Sequence, residues 1–218
     1  MQRVRHLLEG NELFRKSYFR ENESRLVNLA RHGQNPKVLF IGCADSRVIP
    51  SAITNAGPGD LFVLRNVGNF VAPYKPDEDY HSTAAGIEYA VNALGVSEII
   101  VCGHTRCGAI AALYDGGGLD PAKFIHTRTW LSLGKRAKTM ALAALGEEAE
   151  RGDLLALTEQ LSVVTQIDHL LTYPYVGERV AGGRLHLHGW MYDIETGAIR
   201  YYDPEEREFR SPGDAAPA

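Results

Sequence analysis

Two apolar runs, each closed by glycine and followed at once by reactive side chains, constrain this chain more than anything else in it. Val38-Leu39-Phe40-Ile41-Gly42 leads into Cys43-Ala44-Asp45-Ser46-Arg47, and Ile99-Ile100-Val101-Cys102-Gly103 leads into His104-Thr105-Arg106-Cys107. A short β-branched run bounded by glycine reads as a buried strand. Helical spacing lies between and beyond these runs, so strands alternate with crossovers, the pattern of a parallel α/β sheet. Such sheets bind ligands past the carboxyl ends of their strands. Both reactive groups fall there.

The remaining pattern fills in the architecture. Residues 4–31 place Leu7, Leu8, Leu13, Phe14, Tyr18, Leu26, Val27 and Ala30 at helical spacing among charges, and Gly33 and Pro36 end the pattern. They predict an N-terminal helical arm, one helix or two with a break near Gly10. Gly57-Pro58-Gly59-Asp60 turns the chain into a strand over 61–65. Residues 82–94 read as a helix and 98–102 as a strand. Helical patterns follow over 107–114, 121–145 and 151–172, separated by Gly116-Gly117-Gly118 and Gly152. Residues 185–192 alternate as a strand, and Thr196-Gly197 turns it into a hairpin with 198–202. The expected fold is α/β: about four parallel strands plus an antiparallel C-terminal edge strand, flanked by helices. The arm occupies 1–36, an α/β domain with both reactive loops 37–203, and a tail 204–218 that reads as disordered, its end small and proline-containing.

Composition excludes some functions. A hydrophobic content of 44% with 23% charged residues is ordinary for a soluble globular protein. A net charge of −4 with scattered basic residues argues against a nucleic-acid surface. Three cysteines are too few and too odd for a disulfide framework and fit a reducing compartment. The first residues carry no apolar signal core, and no stretch reaches the ~18–20 apolar residues that span a bilayer. The reading is a cytoplasmic protein that binds neither nucleic acid nor membrane.

Cys43, His104 and Cys107 form the candidate metal set. Two thiols and an imidazole suit zinc, and His104-x-x-Cys107 sets two donors about one helical turn apart. A cysteine taken singly is more often inert core, which is how Cys102, inside a strand, reads. A Cys/His nucleophile pair would leave Cys43, Asp45 and Arg47 without a role, and Arg47 lies two residues too close to Cys43 for a phosphatase loop, which needs Cys-x5-Arg. Catalytic zinc keeps three protein ligands and an open position, whereas structural zinc takes four. If Arg47 grips the Asp45 carboxylate with its fork, the metal stays open; otherwise Asp45 can become a fourth ligand. The residues alone leave both outcomes open. His186 and His188 share one face of a strand and read as ordinary polar positions rather than a second site.

The segments CADSRV at 43–48, RNVGN at 65–69, IEYAV at 87–91, VCGHTRCGA at 101–109 and LHGWMYDIETG at 187–197 together resemble the β-class carbonic anhydrases, in particular the plant-type subgroup found in bacteria and cyanobacteria. The likeness runs from about Gln34 to Asp203. It implies zinc on Cys43, His104 and Cys107, and reversible hydration of carbon dioxide to bicarbonate and a proton by zinc-bound hydroxide. It implies catalytic roles for Asp45 and Arg47, with Asp45 orienting that hydroxide or ligating zinc in a closed state. By the same resemblance Gln34 hydrogen-bonds substrate, Phe62, Val67 and Tyr89 line an apolar slot, and Gly103 belongs to the substrate-binding set. The family implies a homodimer or an oligomer of dimers, with each site completed by the partner. Relatives with the same ligands hydrolyse carbonyl sulfide or carbon disulfide, and a non-catalytic scaffold would keep Asp45 on zinc; both stay open as alternatives. Similar enzymes work in the cytoplasm or inside a carboxysome-like compartment. Another group of the family builds an inhibitory bicarbonate site around a Trp three residues before the Cys ligand. Phe40 stands at that position here, so that site is not expected.

Overall fold

A computed structural model describes residues 2–115 and 118–214. Gly116 and Gly117 of the expected glycine break and residues 215–218 of the expected tail lie outside the described residues. Six strands, β1 (Val38–Cys43), β2 (Leu61–Asn66), β3 (Glu98–His104), β4 (His186–Tyr192), β5 (Ile199–Asp203) and β6 (Glu208–Arg210), form one sheet in the order β2-β1-β3-β4-β5-β6. The first four pair in parallel and the last two pair antiparallel. The chain steps from β1 outward to β2, then crosses over to lay β3 on the other side of β1. The gap between β1 and β3 is therefore the topological switch point, where crossovers on opposite faces leave a crevice.

The helices are α1 (Arg5–Lys16), α2 (Tyr18–Glu21), α3 (Glu23–His32), α4 (Pro50–Ile53), α5 (Ser82–Glu88), α6 (Gly108–Ala112), α7 (Ile125–Leu131), α8 (Lys135–Leu145), α9 (Arg151–Leu171) and α10 (Pro174–Ala181). A π-turn over Tyr89–Ala93 continues α5. The two-residue period of the strands divides the core. Leu39 and Ile41 of β1 join Ile99 and Val101 of β3 beneath Ile87, Val163, Leu170 and Val176 from α5, α9 and α10. Phe40, Ile100 and Cys102 point to the opposite face, where Phe40 meets Trp190 edge-on at 6.4 Å. Burial on both faces explains why β1 and β3 read as unbroken apolar runs. Each large aliphatic side chain buried there contributes roughly 1.5–3 kcal/mol.

The structure departs from the sequence reading in the arm, in the middle helices and at the sheet edge. Helix α1 runs through Gly10, and the arm breaks instead at Ser17 and Asn22. There Ser17 Oγ donates to the Leu13 carbonyl at 2.8 Å and Asn22 Nδ2 to the Tyr18 carbonyl at 3.0 Å. Such side-chain bonds compete with the helical ladder, whereas one exposed glycine costs about 1 kcal/mol and does not break it. The single pattern over 121–145 divides into α7, a 3-10 turn at Ser132–Gly134, and α8. The sheet carries two antiparallel strands rather than one, because β6 forms inside the segment expected to be a disordered tail. Phe209 packs on Tyr202 at 5.4 Å and Arg210 pairs with Asp203 at 3.3 Å. A strand of three residues leaves too short a pattern to read.

The arm stands away from the core. Its contacts with the body include an Arg25–Asp60 ion pair and Leu29 over Gly59, while Leu7, Leu8, Leu13, Phe14 and Tyr18 are exposed. Among the described residues no helix is long and apolar enough to cross a membrane.

Candidate metal centre

Cys43 ends β1 and His104 ends β3, so the two strands flanking the switch point deliver them side by side. Cys107 follows one turn later, where α6 begins. The His104 Nδ1–H donates to the Thr105 carbonyl at 2.9 Å. A carbonyl can only accept, which places the proton on Nδ1 and leaves a lone pair on Nε2. That Nε2 is buried and makes no hydrogen bond of normal geometry among the described residues, with the Cys43 thiol as its neighbour. The donor atoms of Cys43, His104 and Cys107 lie within 4.8 Å of one another. Tetrahedral zinc, about 2.0–2.3 Å from each donor, needs separations near 3.5–3.8 Å, so small side-chain adjustments suffice. The donor set fits a metal of that kind. Among the described residues no other group of three His, Cys, Asp or Glu donors comes together.

The thiols are set up unequally. A hydrogen bond from Cys107 pulls Cys43 down to about 4 against the penalty of burial, helped by His104 and by the N–H groups of Asp45 and Gly68. Cys107 is pushed up, as donor to the Cys43 thiolate and by burial. Burial alone would lower the His104 imidazole, but its contacts with Cys43 and the Thr105 carbonyl outweigh that, and the net direction is up. Cys102 is desolvated and pushed up to about 12, an inert core thiol as its place in β3 suggests.

The turn carrying His104 and Cys107 is held from several sides. Thr105 N–H donates to the Tyr192 carbonyl at 3.0 Å, and Ile194 N–H donates to Thr105 Oγ1 at 3.1 Å. Arg106 adopts a left-handed φ of 58° and pairs with Glu195 at 2.7 Å. Cys107 N–H donates to Glu159 Oε1 at 2.9 Å, and burial pushes that carboxyl up.

Asp45 is taken by Arg47. The Nε donates to Oδ1 at 2.9 Å, Nη2 to Oδ2 at 2.7 Å, and the Arg47 N–H to Oδ1 at 3.0 Å. These bonds hold the carboxyl well below the usual carboxylate range. Asp45 N–H points back to Cys43 Sγ at 3.4 Å.

The structure thus brings together Cys43, Asp45, Arg47, His104 and Cys107. Val67 is beside them, since β2 ends level with Cys43 and Ala44 N–H bonds the Asn66 carbonyl at 2.7 Å. Trp130 Nε1 donates to the Val67 carbonyl at 2.7 Å and steadies it. Phe62 pairs in register with Leu39, four positions or roughly 13 Å back along the sheet from Cys43, and its ring meets Tyr89 at 5.9 Å. Tyr89 borders a depression of about 350 Å³ with Ala85, Glu88, Asn92 and Ala93, which excludes the three donors. Gln34 is exposed in the loop before β1, at the end of that strand away from Cys43. Gly103 is buried, and a Cβ there would come within 2.6 Å of Val163 Cγ2, so its bareness seats α9 on β3.

Three further residues belong to the site. Arg65 donates through Nε to the Cys43 carbonyl at 2.9 Å and through Nη2 to the Asp45 carbonyl at 2.6 Å. Gly68, at φ 80°, presents its N–H to Cys43, and a Cβ would strike Ala109 and the Phe70 ring at 2.9 Å. Both lie in the RNVGN segment, which marks the position without stating a role. Glu159 sits in a helical pattern with no distinguishing signal.

A mainly parallel sheet with a Cys-His-Cys donor group at its switch point, and an Arg-held carboxylate beside it, defines an α/β protein with a donor group at its strand ends that could hold a metal. The carbonic anhydrase family profile matches residues 38–199. A carbonic anhydrase of Pseudomonas aeruginosa is 39% identical over 209 residues, covering 95% of this chain and 91% of that protein. One of Synechocystis is 38% identical over 209 residues, covering 96% and 74%. The solved β-carbonic anhydrase CcaA superposes with a TM-score of 0.90 at 37% identity, covering 97% of this chain and 93% of that one. A tetrameric β-carbonic anhydrase of Sordaria macrospora gives 0.80 at 33%, covering 92% and 97%. The chain belongs to the β-carbonic anhydrase family of lyases.

Proposed function

We propose that this chain is a zinc enzyme that hydrates carbon dioxide reversibly to bicarbonate and a proton. The observation that carries the reading is the two-pronged grip of Arg47 on Asp45. With that carboxylate engaged, Cys43, His104 and Cys107 offer three protein ligands and leave a fourth position free, the catalytic rather than the structural arrangement. A scaffold with Asp45 locked on the metal would need the opposite.

Zinc held there supplies a Lewis acid that makes water acidic near neutral pH. Cys43 and Cys107 would hold it as thiolates and His104 through Nε2. Asp45, kept ionised by Arg47, is the acceptor that would hold and orient a water or hydroxide beside the three donors. Val67 walls that side of the slot with an apolar surface. Gln34, Phe62 and Tyr89 stand away from the donors of their own chain, so a second copy supplies them, and the smallest active unit is a homodimer. The exposed apolar stripe of the arm suits the same contact. Pairs of dimers are the expected larger form, and three unpaired cysteines suit the cytoplasm.

The test is stopped-flow carbon dioxide hydration on protein of counted zinc, with carbonyl sulfide and carbon disulfide run beside it. Hydration in proportion to zinc is expected. Zinc-replete protein that leaves carbon dioxide untouched, or that turns over only the sulfur compounds, overturns the reading.

A further inference from the structure

We propose that Arg65 is a positioning residue for the metal centre, holding the Cys43–Asp45 loop in the one shape that serves both of its functional side chains. The inference rests on the zinc reading above and assigns a role that the reading leaves empty.

Arg65 is the penultimate residue of β2, in register with Gly42. Its fork takes two carbonyls of a single loop, Cys43 at 2.9 Å and Asp45 at 2.6 Å. Both bonds go to the main chain, and no carboxylate pairs with this guanidinium among the described residues. An arginine on a sheet edge with only an ion-pair role would meet an acid; this one is spent on loop geometry. Between its two contacts, Ala44 N–H bonds the Asn66 carbonyl at 2.7 Å. Residues 43, 44 and 45 are thus each tied through a main-chain atom to the end of β2, two by the Arg65 side chain and one by the Asn66 carbonyl.

Those three bonds fix the dihedrals about Ala44, and the directions of the flanking side chains follow. Cys43 Sγ is turned toward His104 and Cys107, within 4.8 Å of both donor atoms. Asp45 N–H faces Cys43 Sγ at 3.4 Å while its carboxylate faces Arg47. Arginine suits the task because its donors lie in one plane at fixed spacing. Lysine is a point charge on a flexible stem and holds the same two carbonyls less firmly, and glutamine's shorter amide lacks the fork. Groups that orient metal ligands from behind are typically worth 10- to 100-fold in affinity.

The experiment measures zinc dissociation by competition with a chromogenic chelator for wild type, Arg65→Lys and Arg65→Gln. It adds the visible spectrum of each cobalt(II)-substituted protein and the unfolding midpoint of each metal-free protein. Expected are zinc affinities lower by roughly tenfold or more, an altered cobalt spectrum, and metal-free midpoints close to wild type. Arg65→Gly should recover part of its affinity when guanidinium ion is added. Wild-type affinity and spectrum in both the Lys and Gln variants overturn the proposal. So does a loss of affinity matched by an equal loss of metal-free stability, which would make Arg65 a general structural residue. If wild type itself fails to bind one zinc, the zinc reading falls instead, so the two failures are told apart.

Discussion

Arg47 bridges the two halves of the site: while Nε and Nη2 hold Asp45 at 2.9 and 2.7 Å, the same Nη2 reaches the Arg106 carbonyl at 3.2 Å. The loop after β1 and the turn after β3 are thereby joined through one guanidinium. Removing it would free a carboxylate two residues from Cys43 and loosen the neighbouring turn together.

Arg47→Ala should therefore keep its zinc and lose at least tenfold in carbon dioxide hydration, because Asp45 is left to compete for the metal. Zinc content and stopped-flow rates on the same samples decide it. A zinc-replete variant running near the wild-type rate shows that the pair does not control the open position.

The same pair sets an acid limb of stability. Arg47 lowers the Asp45 carboxyl from its ordinary 3.8. Folding thus gains from the pair above that ordinary value, and the gain is lost as pH falls through the depressed one. In Arg47→Ala the largest part of that depression is lost, so metal-free variant and wild type should converge in urea stability at the acid end, separate as pH rises toward about 4 and keep a constant gap above it. Parallel curves over that range would contradict the assignment.

Cys43→Ser, His104→Asn and Cys107→Ser should each lose metal and activity, while Cys102→Ser keeps both. Cys102 is sealed in β3 and pushed up to about 12, unsuited to a thiolate role. Elemental analysis of the four proteins checks this, and full zinc in Cys43→Ser would break the ligand assignment.

Gly103→Ala should destabilise the fold by about 1–3 kcal/mol, the usual penalty of overpacking. The new methyl would stand 2.6 Å from Val163 Cγ2 and 3.0 Å from Met191 Sδ. Denaturant unfolding measures the loss. Undiminished stability with a raised KM would instead make Gly103 a substrate contact.

Deleting residues 1–31 should weaken assembly and activity together, since the arm exposes Leu7, Leu8, Leu13 and Phe14 and buries none of its own side chains in the core. Light scattering alongside rate measurements checks it; an active monomer rules out the shared site.

Much of this protein is legible in its sequence. The runs before Cys43 and His104 had to be buried strands because their side chains are apolar on both faces, and residues directly after such strands fall at the ligand edge of a parallel sheet. Thiols and an imidazole there could be named as metal donors from chemistry and spacing. The π-turn at Tyr89, the separate helix α10 and strand β6 were not readable, because short elements carry too few periods to rise above the surrounding pattern. The sequence by itself determined the donor types, their strand ends and the mainly parallel α/β class. Only the tertiary structure decided that Arg47 takes Asp45, that Arg65 and Glu159 grip the main chain of the two ligand loops, and that Phe62 and Tyr89 lie apart from Cys43. Those outcomes depend on which way side chains point across neighbouring strands, and hydrogen-bond direction over a few ångströms is set by packing, not by residue order.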